Sequence, residues 1–436
     1  MKELFLIRDN LANRISYYHL MLYLLSLPFD RFYSHLVLIS FSLHTIIHFN
    51  RHTVKPVFTL RTLILQSVFL AAAISTIYAS HLKDAFREWE LYIPVVVFPV
   101  LFCINPLDLR KYRYNLLLVF ALGCTATILY LYINALMTIR YYKLPFSTII
   151  SPAFTNHNFS QPIDMHATFF SLQIALALVF VLSVWLRESN RLNKLICGFC
   201  TIVLTAGIIQ LSSKSAFLAL FLIINIAIPY FLLQGRQKVR FITISAAITV
   251  LFMTVILNTR AFRDRFVNEL KEDISQAKAD ENTDPRLARW EIAIDLVGKS
   301  PIIGYGAGSE IKLLQEQYYK HKFYRSYLSQ LNAHNEYLSF LLKSGIWGLT
   351  IYISVLVYGF KKAMMKKDIV FFAFMLLLAV VSLSENILDA DKGVMYYSFF
   401  FSFFVFIAEQ KIRPTLPLKQ RKYLREVATK AMAVTS

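Results

Sequence analysis

Residues 258–334, NTRAFRDRFVNELKEDISQAKADENTDPRLARWEIAIDLVGKSPIIGYGAGSEIKLLQEQYYKHKFYRSYLSQLNAH, form the one long polar stretch in a chain that otherwise passes from one apolar run to the next. The stretch opens on Arg260, Arg263 and Arg265. It continues through an acidic, helix-prone piece, ELKEDISQAKADENTD (269–284), and ends where NEYLSFLLKSGIWGL begins another apolar run. Outward from it on both sides, apolar segments recur at about the 17–25 residues that a helix needs to cross hydrocarbon. The runs are continuous rather than alternating, so they read as helices and not as strands of a barrel. The composition agrees: 56% of the 436 residues are hydrophobic and only 17% are charged. The expected class is an all-α, polytopic membrane protein.

Twelve spans are expected, at about 16–30, 33–49, 58–79, 91–105, 114–136, 166–186, 194–211, 215–234, 240–258, 335–360, 368–385 and 393–409. Pro94 and Pro99 are expected to kink the fourth. Short loops after the even-numbered spans carry the Lys and Arg surplus, as at Arg110, Lys111 and Arg113 or Lys361, Lys362, Lys366 and Lys367. Such loops belong in the cytoplasm, which places both termini inside and the 259–334 loop outside. The expected organisation is nine spans in 1–258, an outer loop at 259–334, three spans in 335–410 and a basic cytoplasmic tail at 411–436. The N-terminal MKELFLIRDNLANRISYYHLMLYLL lacks a small-residue cleavage site and reads as a cytoplasmic lead-in to the first span.

The net charge of +19 has its explanation in those loops. No basic segment interleaved with exposed aromatics points to nucleic acid. None of the four cysteines lies in the long loop, and Cys197 and Cys200, at redox or zinc spacing, sit inside an apolar run and read as packed thiols. No metal-ligand set, Walker motif, Ser-His-Asp signature or kinase signature is present. The glycines of Gly304-Tyr305-Gly306-Ala307-Gly308 do not follow a strand and read as a turn.

Within the long loop, RLARWEIAIDLVGKS (286–300) is expected to be a helix with Leu287, Trp290, Ile294 and Leu296 on its apolar face. IKLLQEQYYKHKFYRSYL (311–328) is expected to form another. Arg286, Arg289 and Trp290 are then neighbours at i, i+3 and i+4. A guanidinium offers a planar fork for phosphate oxygens, and surface pairing with Asp284, Glu291 or Asp295 is the structural alternative. His334 stands at the mouth of the tenth span, where the positive end of a helix favours the neutral, proton-accepting imidazole. Lys214, in the turn SSKS (212–215), is either a functional cation at the membrane boundary or a snorkelling side chain. His166 opens the sixth span after His157. Glu385, near Asp389 and Asp391, is placed to orient a base or hold a cation, or lies in a solvated turn.

The order of these motifs resembles the O-antigen ligase/polymerase superfamily of bacterial inner-membrane glycosyltransferases. The resemblance rests on SSKSAFLAL (212–220), on RLARW followed by SPIIGYGAG (286–308), and on NAHNEYLSFLLKSGIWGL (332–349). SENILDADKGVMYYSFFFSFF (384–404) and MHATFFSL (165–172) extend it. It implies a GT-C-type enzyme of the inner membrane whose site faces the periplasm. Such an enzyme uses no nucleotide sugar and needs no cofactor or metal. Its donor would be a glycan on undecaprenyl pyrophosphate, and its acceptor a sugar hydroxyl of lipid A-core. A polymerase would instead extend a second lipid-linked unit, and a protein O-glycosyl ligase would use Ser or Thr. Arg286 and His334 match the family's arginine and histidine. Lys214 stands where many members carry Arg, keeping charge without the fork, and Arg289 has no firm counterpart. The resemblance implies that Lys214 and Arg286 neutralise the leaving pyrophosphate while His334 takes the acceptor proton. A transporter would call for charges in mid-span and paired halves with broken helices; the halves do not resemble each other, and the charges read as clustered at the outer face.

Overall fold

The computed structural model describes residues 2–52, 54–273, 275 and 285–409. Every expected span overlaps a helix. In chain order these are α1 (Leu11–Ser26), α2 (Arg31–Ile47), α3 (Leu60–Ser75), α4 (Leu82–Ile104), α5 (Leu109–Tyr141), α6 (Ala167–Trp185), α7 (Arg191–Leu211), α8 (Lys214–Leu232) and α9 (Gly235–Asn258). The polar stretch contributes the short α10 (Glu269–Asp273), then α11 (Arg286–Lys299) and α12 (Glu310–Lys320). The last three are α13 (Glu336–Met365), α14 (Ile369–Val381) and α15 (Asp391–Glu409). No strand occurs among the described residues. Among the described residues seven helices are long and apolar enough to cross a membrane, and α14 is a shorter apolar helix. The expected tail at 411–436, and 276–284 of the acidic piece, lie outside the described residues.

Polar side chains fix where many helices begin. Asn10, Asp30, Thr59, Asp108, His166, Asn190, Asn335 and Asp368 each accept a backbone N–H from the first turn that follows. The bundle is centred on α6 and α15, both buried along nearly their whole length. α6 packs on α5, α7 and α14, while α15 packs on α4. The phenylalanines of SFFFSFFVF (398–406) interlock with Phe371, Phe374 and Phe120 at centroid distances between 4.9 and 6.1 Å. A helix apolar all round belongs in such a centre.

Three expectations are corrected. α4 begins at Leu82 rather than near 91, so HLKDAFREWE is mostly helix and not loop, and it runs through Pro94 and Pro99 as one element. Its charged first turns find partners in the polar stretch: Lys312 meets Asp84, 2.5 Å away, and Glu88 is buried. α13 is no uninterrupted span, because Gly345 leaves helical geometry at φ +62° and ψ −157°. The inner face of α11 is Ala288, Arg289, Ile292, Ala293 and Leu296, while Ile294 is exposed. Alanines let α11 lie close to its neighbours, so the buried stripe follows small residues that a reading weighted toward large ones passes over. Ile292, Ala293 and Leu296 close a second core with Leu314, Tyr318, Ala333 and Leu342.

Contacts sort the connecting segments into two sets. The polar stretch touches the 76–88 region, the 212–215 turn and the 384–391 segment. At the opposite set, Lys55 N–H bonds to the Cys103 carbonyl, Arg113 pairs with Asp368 at 2.6 Å, and Lys362 pairs with Glu409.

Candidate active site

The turn Pro301–Gly306 is built onto the interruption of α13. Tyr305 and Gly306 donate their N–H groups to the Leu342 and Lys343 carbonyls at 2.8 and 2.9 Å, and Ile346 N–H returns to the Pro301 carbonyl at 2.9 Å. The groups that the break frees are satisfied by a neighbouring turn, as low-dielectric surroundings require. The first part of α13 is thereby held as a short helix whose mouth carries His334.

His334 has φ +48°, an unusual left-handed conformation for a residue other than glycine. Its Nδ1 lies 3.2 Å from Oε2 of Glu385. Burial alone would raise the Glu385 carboxyl; the His334 hydrogen bond and the nearby charges, including that of Arg286, bring it below its ordinary range. An ionised carboxylate on Nδ1 holds the proton on that nitrogen and leaves Nε2 as the basic atom.

Arg286, the first residue of α11, meets the other oxygen of Glu385 at 3.9 Å and donates to the Ser384 carbonyl at 3.1 Å. Its Nε lies 3.6 Å from Asp273 Oδ1. Asp273 Oδ2 in turn lies 3.1 Å from Lys214 Nζ, which also reaches Glu269 at 3.5 Å, and Glu269 pairs with Arg265. The result is one row of alternating charge, from His334 through Glu385, Arg286, Asp273, Lys214 and Glu269 to Arg265. The surface partners considered for Arg286, Glu291 and Asp295, are both exposed, and Asp284 lies outside the described residues.

Arg289 takes a different place. It is buried on the inner side of α11 with Ala288 and Ile292, whereas Arg286 is only partly covered. Trp290 Nε1 donates to the Ala333 carbonyl at 2.8 Å and so ties α11 to the residue before the histidine. His166 caps α6, its Nδ1 accepting from Thr168 N–H at 3.3 Å, and its ring meets that of His157 edge-on at 4.2 Å. Burial pushes its pKa down to about 4, so it is neutral near pH 7. It lies within electrostatic range of Glu385, His334 and Arg286.

Sequence reasoning passed over a buried polar cluster directly behind the histidine. Lys343 sits inside an expected span, paired with Asp389 and 3.3 and 3.7 Å from Glu88 and Glu310. Asn386 donates to Glu310 at 3.0 Å and to Asp389 at 2.7 Å. The available signal was a lysine in an apolar run, which is costly unless paired. A separate cavity of about 780 Å³ opens beside the Arg265 end of the row, between Ser151, Asn156 and His157 on one side and Arg260, Arg265 and Glu269 on the other.

The arrangement can hold an anion between Lys214 and Arg286 beside the His334 imidazole. No curated protein matches the chain. Residues 199–353, about a third of the chain, match the family model described as O-antigen ligase. The matched part includes Lys214, Arg286, Arg289 and His334 and leaves out His166 and Glu385. Over those residues the chain is similar to the O-antigen ligase family, in agreement with the motif order and the all-helical architecture.

Proposed function

We propose that the protein is an O-antigen ligase that transfers a glycan from undecaprenyl pyrophosphate to a sugar hydroxyl of lipid A-core. The observation that carries this reading is the juxtaposition of the His334–Glu385 pair, at 3.2 Å, with Arg286, at 3.9 Å from the same carboxylate. A base and a phosphate-binding fork then face one reaction centre. His334 Nε2 takes the proton of the attacking hydroxyl, and the new bond forms at the anomeric carbon as the bond to the pyrophosphate oxygen breaks. Displacement from the opposite face inverts the anomeric configuration. Lys214 and Arg286 neutralise the charge that develops on the leaving group, in the role a divalent cation would otherwise fill. Glu385 stabilises the imidazolium. Arg289, buried within α11, supports the Arg286 helix rather than the pyrophosphate, and His166 stands at the edge of the site as a neutral side chain.

The same reading places twelve crossings in the inner membrane in a GT-C-type bundle. Residues 259–334 would then form a periplasmic catalytic segment between 1–258 and 335–410. The two sets of loop contacts support that alternation, since each set joins segments expected on one side. Both termini would lie in the cytoplasm.

The test is transfer by purified protein. Undecaprenyl pyrophosphate-linked glycan is mixed with lipid A-core in EDTA, without ATP, and the products are resolved as a lipopolysaccharide ladder. A ladder that His334→Ala and Arg286→Lys fail to make supports the proposal. Longer lipid-linked glycans from donor alone would instead identify a polymerase, and full activity of His334→Ala would exclude the histidine as an essential base.

A further inference from the structure

We propose that Glu310 and Asn386 are positioning residues for the His334–Glu385 pair, a proposal that rests on the catalytic reading above. Neither side chain belongs to the row of alternating charge. Glu310 is the first residue of α12 and is 1% exposed; Asn386 follows Glu385 directly and is 4% exposed.

The argument starts from the histidine's backbone. A left-handed conformation is disfavoured for a non-glycine residue and persists where the surroundings over-determine it. Each N–H around it is held by a different group. Ala333 N–H donates to Glu310 Oε1 at 2.9 Å, His334 N–H to Asn332 Oδ1 at 3.1 Å, and Asn335 N–H to Asn386 Oδ1 at 2.7 Å. Glu336 N–H reaches the Ser382 carbonyl at 2.9 Å.

Two of those acceptors are joined to each other. Asn386 Nδ2 donates to both Glu310 oxygens, at 3.0 and 3.3 Å, while its own oxygen holds Asn335. One carboxylate and one amide thus clamp the segment carrying the base to the segment carrying its orienting acid. The Glu310 carboxylate also accepts from Ser339 Oγ and faces Lys343. Every group that hydrogen-bonds to it or pairs with it is a donor, so an acceptor of this length fits the site, while the nearby Asp389 carboxylate opposes its charge. A glutamine there would turn an N–H toward another donor. The base and its acid would then drift apart, although neither would have been altered.

The test uses full-length protein in lipid nanodiscs and the transfer assay with purified lipid-linked donor and lipid A-core. Glu310→Gln and Asn386→Ala are compared with His334→Ala. The expected result is a kcat loss of roughly 10- to 100-fold in both variants, with donor KM and thermal midpoint unchanged, while His334→Ala is inactive. Wild-type kcat in folded Glu310→Gln and Asn386→Ala overturns the proposal and leaves the catalytic reading intact. A kcat loss matched by a fall in thermal midpoint or a rise in donor KM also overturns it, since the two side chains would then serve general packing. Substantial activity in His334→Ala removes the catalytic reading and this inference together.

Discussion

Glu385 presents one oxygen to His334 and the other to Arg286, at 3.2 and 3.9 Å. The carboxylate therefore serves two positive partners at once, and its removal acts on both. Glu385→Gln keeps the size and leaves an amide that cannot stabilise an imidazolium. A kcat loss of about 100-fold or more is expected, with little change in protein level. Single-turnover transfer rates at saturating donor check it. Near-normal turnover would mean that His334 works without an orienting acid.

The depressed Glu385 carboxyl contributes to the acid side of the pH dependence. Its proton is bound less readily in the folded protein than in the unfolded chain, so its contribution to stability is present above the ordinary carboxylate range and is lost as the pH falls through the folded value.

His166 adds to the same acid-side loss by a different cause. Its folded pKa, about 4, lies below the unfolded value of 6.5 because burial disfavours the cation. The protonated form is therefore penalised by folding, and stability declines as the pH drops from 6.5 toward 4. A shift of this size corresponds to about 3 kcal/mol at the acid end. His166→Asn keeps a helix-capping acceptor without a titrating ring. Its thermal midpoint is expected to be flatter than that of wild type between pH 6.5 and 4. A parallel decline in both proteins would show that other groups set the acid limb.

Asp273 occupies both cations assigned to the pyrophosphate, at 3.1 Å from Lys214 and 3.6 Å from Arg286. A bound pyrophosphate has to take its place, so the carboxylate competes with substrate. Asp273→Asn removes the competitor, and donor KM is expected to fall several-fold, as for one screened charge contact near the surface. Added pyrophosphate should also inhibit the variant at lower concentration. Weaker binding of both would mean that Asp273 holds the cations in place.

Much of this was legible in residue order. Apolar runs located every bundle helix, because length and hydropathy act locally and the membrane leaves helices few alternatives. His334, Arg286 and Glu385 were legible as chemically distinctive residues at helix mouths, and the structure brings the three into contact. Their pairing was not legible: His334 and Glu385 are 51 positions apart, and no local rule joins them. Arg289 shows a different difficulty. Helical spacing made it a neighbour of Arg286, but α11 carries Arg286 at the edge of its inner face and Arg289 within that face, so the one is partly covered and the other buried. Lys343 and Glu310 were hidden because an isolated ionisable residue gains meaning only from partners on other elements, here α4, α12 and the segment before α15.

The break in α13 gives a prediction that separates geometry from chemistry. Gly345 combines φ +62° with ψ −157°, a region open essentially to glycine. A Cβ there would stand 2.2 Å from the Ile302 carbonyl oxygen. Gly345→Ala thus meets both backbone strain and a clash with main chain that three interlocking hydrogen bonds hold in place. A loss of about 2 kcal/mol or more is expected. Transfer should fall with it, since the same turn seats the short helix behind His334. Gly298 is the control: it lies in α11, and a Cβ added there meets nothing within 4 Å. Gly298→Ala should be neutral or slightly stabilising, because alanine is the better helix former. Thermal midpoints in detergent, measured beside transfer rates, compare the two. Equal behaviour of the two variants would mean that the turn at 301–306 yields easily and that the interruption of α13 does not anchor the site.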